Sequence, residues 1–287
     1  MKSFVARCAA LAGTALFVAL FSVCQLSAVT NPLNGPRGLA LASNGNLYVA
    51  NQGGNNVVVF NPNYAWVSSK TITAGVSKPS SVAFDSAGNL YVANLGTQCV
   101  TQYSSAGVEN TSGTITQGIN TPESMAVDGL NDIYVDNGYT NVSIYSADIY
   151  PATSGAAPLV QTFTPNALIF GIATHGQFFA WGSVNAAAVQ YIDQILGSSI
   201  SGGVAGTADE ALALAFDATG NLYIVNANST VDFFDFGTSL ETQFAALPFT
   251  PAGIVVDSTR GRVYISNQNG NAIAVYNTAG TLLKTIQ

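Results

Sequence analysis

From about residue 34 onward, apolar residues recur in short runs that alternate with polar positions and are broken by Gly, Asn, Ser and Thr. "GLALA", "SVAFD", "SMAVD", "FGIAT", "LAFDA" and "IVVDS" each open a cycle. A tight turn follows, commonly Gly before Asn or Arg, and then a run with an aromatic at its centre. A third alternating run ends on an aromatic, at Phe60, Tyr103, Tyr145, Tyr191, Phe234 and Tyr276. A looser fourth segment, such as "KTITAG" or "TLLKTI", closes the cycle. A period of two marks half-buried strands, and the Gly/Asn/Ser clusters between them mark hairpin turns. No stretch keeps a helical period over a useful length. "NAAAVQYIDQIL" at 185–196 comes nearest, but its place in the cycle predicts a strand, with a short helical excursion after Ile192.

The cycle is a repeat. "SNGNLYVANQG" (43–53), "SAGNLYVANLG" (86–96) and "ATGNLYIVNAN" (218–228) are nearly the same phrase. Aligned on its aromatic, Tyr48, Tyr91, Tyr134, Phe179, Tyr223 and Tyr264 follow at intervals of 41 to 45 residues. Four strands in ~40–45 residues is the signature of a propeller blade. The chain is therefore predicted to be all-β: a six-bladed β-propeller over 29–287, with four antiparallel strands per blade. The copies run approximately 34–76, 77–119, 120–165, 166–207, 208–248 and 249–287. The first run of each copy places a small residue (Ala40, Ala83, Ala126, Gly171, Ala215, Val255) between two large ones, as in Leu39 and Leu41 or Val82 and Phe84. Side chains alternate faces along a strand, so one face is small, which suits strands crowded at an axis. Copy six is complete, so the ring is expected to close without an N-terminal strand; the alternative adds residues 29–35 to the last blade.

The repeated phrase reads as scaffold. Gly45, Gly88 and Gly220 supply backbone freedom in the hairpin turns, and the Asn after each suits a turn position. The aromatics pack between blades. Asn51, Asn94, Asn137, Asn226 and Asn267 are expected to bond neighbouring backbone and seal the following turn.

The stretch "KPSSVAFDSAGNLYVANLGTQCVTQY" (78–103) resembles the NHL repeat, and the six-fold array is similar to an NHL or SMP-30/gluconolactonase-type propeller. The resemblance implies the fold. For function it spans RNA-binding domains, interaction scaffolds, lactonases and lyases. Many NHL repeats carry Arg early in the third strand, where this chain has Val57, Val100, Val142, Val189, Val231 and Ile273. That replacement removes the basic face used by RNA-binding members. Metal-dependent lactonases of the group place Glu, Asn and Asp ligands around the axial mouth, and those do not map residue by residue onto this chain.

Composition narrows the partners. Apolar residues make up 48% of the chain and charged residues only 8%, far below the usual quarter. Residues 1–28 read as a cleavable signal peptide: Lys2 and Arg7 lead, an apolar run ends near Val23, and Ala28 offers a small residue for cleavage. Cys24 supports a competing lipoprotein reading, but Phe21-Ser22-Val23 lack the small residue such processing wants. The expected location is secreted, periplasmic or extracellular, with no integral span after processing. Beyond residue 28, fifteen acids face six bases (Arg37, Lys70, Lys78, Arg260, Arg262, Lys284), a net charge of −9. Six scattered bases do not neutralise a run of phosphates, so nucleic acid is not expected as a partner. Cys99 remains as a lone thiol, so stability rests on packing rather than on a disulfide. A monomer is expected.

Candidate chemistry is sparse. His175, the single histidine, excludes a histidine-rich metal cluster and reads as a solvated turn residue. The position after each copy's opening Pro is the expected rim of the channel, and it reads Arg37, Ser80, Glu123, Leu168, Leu212 and Ala252. Glu123, with Glu210 just outside that register, is the best acidic pair for catalysis or for Ca²⁺, which needs several converging oxygens. Asp85, Asp128, Asp217 and Asp257 recur at one register position and read as caps of the first hairpin turn. Cys99 reads as a small buried hydrophobe. Copy four has lost the usual Asp and Asn and gained Phe170, Phe178, Phe179 and Trp181. Phe170, Trp181 and Arg37 are accordingly the candidate binding residues. The sequence thus points to an exported binding or interaction scaffold with a protein or carbohydrate ligand and no cofactor. The alternative is a gluconolactonase-like hydrolase or lyase that uses acids at the mouth, with Ca²⁺.

Overall fold

The computed structural model describes residues 31–138, 141–146, 159–164, 169–176, 178–183, 188–193, 204–205 and 210–287. The predicted signal peptide, Cys24 and residues 194–203, where the helical excursion was expected, lie outside these residues. The alternating runs form antiparallel sheets that follow one another in chain order as a β-propeller. The innermost strands are Pro36–Leu41, Pro79–Phe84, Pro122–Val127, Ile169–His175, Ala211–Phe216 and Pro251–Asp257. Each packs against its counterparts in the preceding and following sheets, and Pro36–Leu41 meets Pro251–Asp257. The last strand is Leu282–Ile286, and the final sheet holds four strands without help from residues 31–35. "NAAAVQYIDQIL" contributes the strand Ala188–Asp193. Among the described residues no helix is long and apolar enough to cross a membrane.

Among the described residues five sheets have four strands, rather than the six expected; the first has three, ending at Asn56–Phe60. The cause is local. After Phe60 the chain reverses through a tight turn with Tyr64 at φ 66°, and its Ser68–Lys70 section winds into a 3₁₀ turn. The outer segment therefore touches the sheet only at two isolated bridges, Phe60 with Trp66 and Val57 with Ile72.

Every innermost strand also has a bulge directly after its first residue, as between Pro36 and Leu39 or Pro122 and Met125. An extra residue in one strand bends it and re-aims the side chains beside it. Two positions past the first residue stand Gly38, Ser81, Ser124, Gly171, Ala213 and Gly253, the small ring that convergence requires. The expected small ring (Ala40, Ala83, Ala126) is real but serves a different contact. It pairs with the central aromatics, Ala40 with Tyr48 and Ala126 with Tyr134, at the interface with the next sheet. Copy four is corrected by two residues: Ala173 pairs with Ala180, so Ala173 rather than Gly171 is the counterpart of Ala40.

The close approach is measurable at Gly38, where an added Cβ would lie 2.6 Å from the Ser81 Cα. At Gly253 it would overlap the Arg37 carbonyl oxygen. Because the innermost strands converge without pairing, their inward backbone groups need other partners. Hydroxyls supply them. Ser81 Oγ accepts from the Met125 amide (3.2 Å), Ser124 Oγ from the Ile172 amide (3.3 Å), and Ser266 Oγ donates to the Arg37 carbonyl (2.7 Å).

The recurrent asparagines do more than was expected of them. Asn51, Asn94 and Asn137 accept, at 2.5, 2.9 and 2.9 Å, from the amides of Asn34, Ser77 and Asn120. Each bond pins the linker that enters the same sheet's innermost strand. Four of them also close the turn that follows: Asn267 accepts from Gly270 N at 2.8 Å, and the side-chain amides of Asn51, Asn137 and Asn226 donate across the turn to Asn56, Asn141 and Thr230. The aromatics pack across the interfaces, Tyr48 edge-on to Phe84 at 5.0 Å and Tyr134 stacked on Phe179 at 4.9 Å.

Convergence makes a testable demand. Gly38→Ala forces backbone apart at the axis and should lower stability by about 1–3 kcal/mol in urea denaturation. Gly129→Ala, whose Cβ meets nothing within 4 Å, should change it by less than about 0.5 kcal/mol. Equal effects at the two positions would contradict the packing account.

Candidate functional site

The six bulges turn the first residue after each strand start toward the axis, where a pocket of about 280 Å³ opens. Its rim is Arg37, Ser80, Glu123, Phe170, Leu212 and Ala252, with Leu39, Val82, Met125, Ile172, Leu214 and Ile254 among the lining residues. Five rim positions match the sequence expectation. The sixth is Phe170 instead of Leu168, because copy four enters its innermost strand at Ile169 and its bulge follows from there; Leu168 itself lies outside the described residues.

The rim divides. Sheets one to three supply Arg37, Ser80 and Glu123; sheets four to six supply Phe170, Leu212 and Ala252. Ser80 is 2% exposed and spends its hydroxyl on the carbonyls of Pro122 (2.5 Å) and Ala93 (3.3 Å), so it tethers sheets two and three. Arg37 Nη1 donates to Glu123 Oε2 at 2.8 Å, with side chains 25% and 16% exposed. This ion pair skips the second sheet and joins the first to the third. It sets the rim's one base against its one acid and leaves the mouth without net charge.

The other candidate residues are dispersed. Glu210 is exposed and outside the pocket lining, so it does not join Glu123. Among the described residues no group of three or more His, Cys, Asp or Glu is close enough to hold a metal ion. Trp181, a candidate binding residue, is 4% exposed and stacks on Phe179 at 5.5 Å, so its ring belongs to the core. Cys99 is buried beside Thr97 Oγ1 at 3.2 Å.

The recurrent aspartates cap the hairpin turns at the other end of the innermost strands. Asp128 Oδ1 accepts from the amides of Leu130 and Asp132, and Asp217 Oδ1 from those of Thr219 and Asn221. Asp257 holds Arg260 through both its amide and its guanidinium. His175 ends its strand half-buried, with its ring 5.6 Å from that of Phe216, rather than as a freely solvated turn residue. Asp232 is a buried carboxylate that the sequence alone does not single out. It stands in a strand where sheets two and three have Thr101 and Ser143, and it accepts from Asn226 Nδ2 at 2.6 Å. Burial raises its pKa, offset in part by that hydrogen bond. The shared Asn contact at that register was the available signal.

Comparison with known proteins supports the architecture. The NHL repeat family matches residues 33–60. No curated protein matches the sequence. Among solved structures, the nidogen/laminin complex aligns with a TM-score of 0.65 at 15% identity, covering 88% of this chain and 93% of that one. A streptogramin B lyase aligns at 0.63 and 13% identity, covering 89% and 84%. A catalytically inactive histidine-to-alanine variant of virginiamycin B lyase from Staphylococcus aureus, with quinupristin, aligns at 0.62 and 11% identity, covering 89% and 85%. At these identities the likeness is one of fold. The fold and the match together define a β-propeller that carries an NHL repeat at residues 33–60.

The buried aromatics carry a pH signature. Burial first, then a neighbouring turn aspartate, pushes the Tyr91 and Tyr223 hydroxyls up to about 12; burial first, then Tyr64 and Asp257, does so for Tyr264. A folded pKa above the unfolded one gives stability that is whole below about pH 10 and lost as pH rises toward 12. Tyrosinate absorbance should therefore show these groups ionising only as circular dichroism reports unfolding in that window. Full ionisation near pH 10 with the fold intact would contradict their burial.

Proposed function

We propose that this protein is an exported, six-bladed NHL-like propeller that acts as a binding scaffold through its axial mouth and the loops around it. The observation that carries the reading is the Arg37–Glu123 pair. With Glu123 engaged by a guanidinium, the mouth offers no free carboxylate ring, and the rest of its rim is a serine committed to backbone plus three apolar residues. Such a concave surface, apolar over one half and polar over the other, suits recognition. The nidogen neighbour, found in complex with laminin, lends the scaffold reading support by analogy of fold.

The competing reading is an SMP-30/gluconolactonase-like hydrolase or a lyase. The lyase neighbours favour it by fold, but the chemistry at this mouth does not fit. The virginiamycin B lyase variant lost activity with a histidine, whereas this chain's one histidine, His175, is not among the residues lining the mouth. Tight Ca²⁺ sites draw on six to eight oxygens, and Glu123 would first have to give up Arg37. No catalytic step through a metal is therefore assigned.

Purified residues 29–287 should show no rise in melting temperature with millimolar-range Ca²⁺ and no lactone hydrolysis in a pH-stat assay. A calcium-dependent rise abolished by Glu123→Ala, or turnover lost in Glu123→Gln, would replace the scaffold reading with the enzyme one.

A further inference from the structure

Resting on the reading of the mouth as a binding surface, we propose that the axial pocket receives an uncharged peptide segment, with one large apolar side chain inserted. The side chain lies against Phe170, Leu212 and Ala252, and its peptide group meets Arg37 and Glu123. Four features of the pocket carry this.

The first is size. A volume of about 280 Å³ lies at the lower edge of the ~300–1,000 Å³ typical of small-molecule sites, which fits a short segment rather than an extended ligand. The second is the split rim, apolar over three consecutive sheets and polar over the other three. A ligand must match both halves at once. An apolar side chain projecting from a peptide backbone does so, because one edge is hydrocarbon and the other carries N–H and C=O.

The third feature is the ion pair's geometry. Arg37 and Glu123 are joined by one hydrogen bond, Nη1 to Oε2. Among the described residues, neither side chain makes another hydrogen bond to a side chain or backbone. A guanidinium has five N–H donors and a carboxylate two accepting oxygens, so a donor edge and an acceptor edge remain side by side. A peptide group presents the complementary acceptor and donor without charge.

The fourth is neutrality. A cationic or anionic ligand would add an unpaired charge to a site whose own charges cancel, or would have to break the pair and strand one partner. A sugar fits less well. Its hydroxyls lie on every edge, and those facing Phe170 and Leu212 would lose water without gaining partners.

The pocket contains its own reporter. Met125 lines it and is the sole methionine beyond Met1. Protein comprising residues 29–287 with ¹³C-methyl methionine thus gives one resonance inside the proposed site. Titration with N-acetyl-phenylalaninamide should shift that methyl signal saturably. Phenylalaninamide, a cation, N-acetyl-phenylalanine, an anion, and methyl glucoside should each bind at least about tenfold more weakly. Phe170→Ala should weaken the neutral probe by about tenfold as well. Leu212→Ala serves as a second variant on the same wall, and a native melting curve confirms that each variant is folded. An unmoved Met125 signal, or a stronger response to either ion or to the glucoside, would overturn the proposal. The calcium and lactone assays do not depend on this pocket's ligand, so a silent Met125 in a calcium-indifferent protein removes the peptide site while the scaffold reading stands.

Discussion

The close approach of the innermost strands at the axis governs the rest of this molecule. Where the Gly38 backbone comes so near Ser81 that a Cβ would sit 2.6 Å from its Cα, only glycine fits, and the counterparts in the other copies are Ser81, Ser124, Gly171, Ala213 and Gly253. The same crowding prevents those strands from pairing with one another, and hydroxyls such as Ser81 and Ser266 complete their backbone hydrogen bonding instead. The bulge after each strand start follows from the same geometry, since a strand that bends away from the axis can turn one residue into the mouth. The rim residues are therefore set by where the bulges fall.

That placement decides the chemistry. A ring with acids in every copy would concentrate negative potential at the mouth. Here one acid and one base meet across an intervening sheet, and hydrocarbon fills the opposite half. The recurrent carboxylates, which at the rim would form such a ring, stand at the far ends of the strands, where they hold turn amides and, at Asp257, an arginine. Capping needs an acceptor that bonds backbone locally, and short aspartate supplies it at four of the hairpins. The repeat thus separates its duties. One end of each strand is structural grammar, and the other is free to vary from sheet to sheet.

Much of this order is legible in the sequence, because strand alternation and hairpin turns are local. The phrase around Tyr48, Tyr91 and Tyr223 gives the strand pairs and their period, and the turn aspartates identify themselves by position. What escapes is what depends on neighbours distant in sequence. A bulge has no composition signal of its own, so the sequence places the small ring two residues too late in every copy but the fourth, and points to Leu168 where Phe170 belongs. The Arg37–Glu123 contact joins residues 86 apart with no periodic trace. Asn94 is plainly a repeated residue, yet its bond to the incoming linker at Ser77 appears only once the sheet has formed. Trp181 shows the opposite error. An aromatic gained by a divergent copy suggests a surface, but sheet pairing buries it beside Phe179. The missing fourth strand of the first sheet turns on Tyr64 and a single 3₁₀ turn, too local a change to disturb the repeat's spacing.

The central claim is that Glu123 is committed to Arg37 and that this commitment leaves the mouth neutral. A double-mutant cycle with Arg37→Gln, Glu123→Gln and both together, followed by urea denaturation, tests it most directly. For a pair this far withdrawn from water, with side chains 25% and 16% exposed, the account predicts a coupling energy of about 1 kcal/mol. Single changes that add within about 0.3 kcal/mol would show the two side chains to be independent and the carboxylate free for other chemistry.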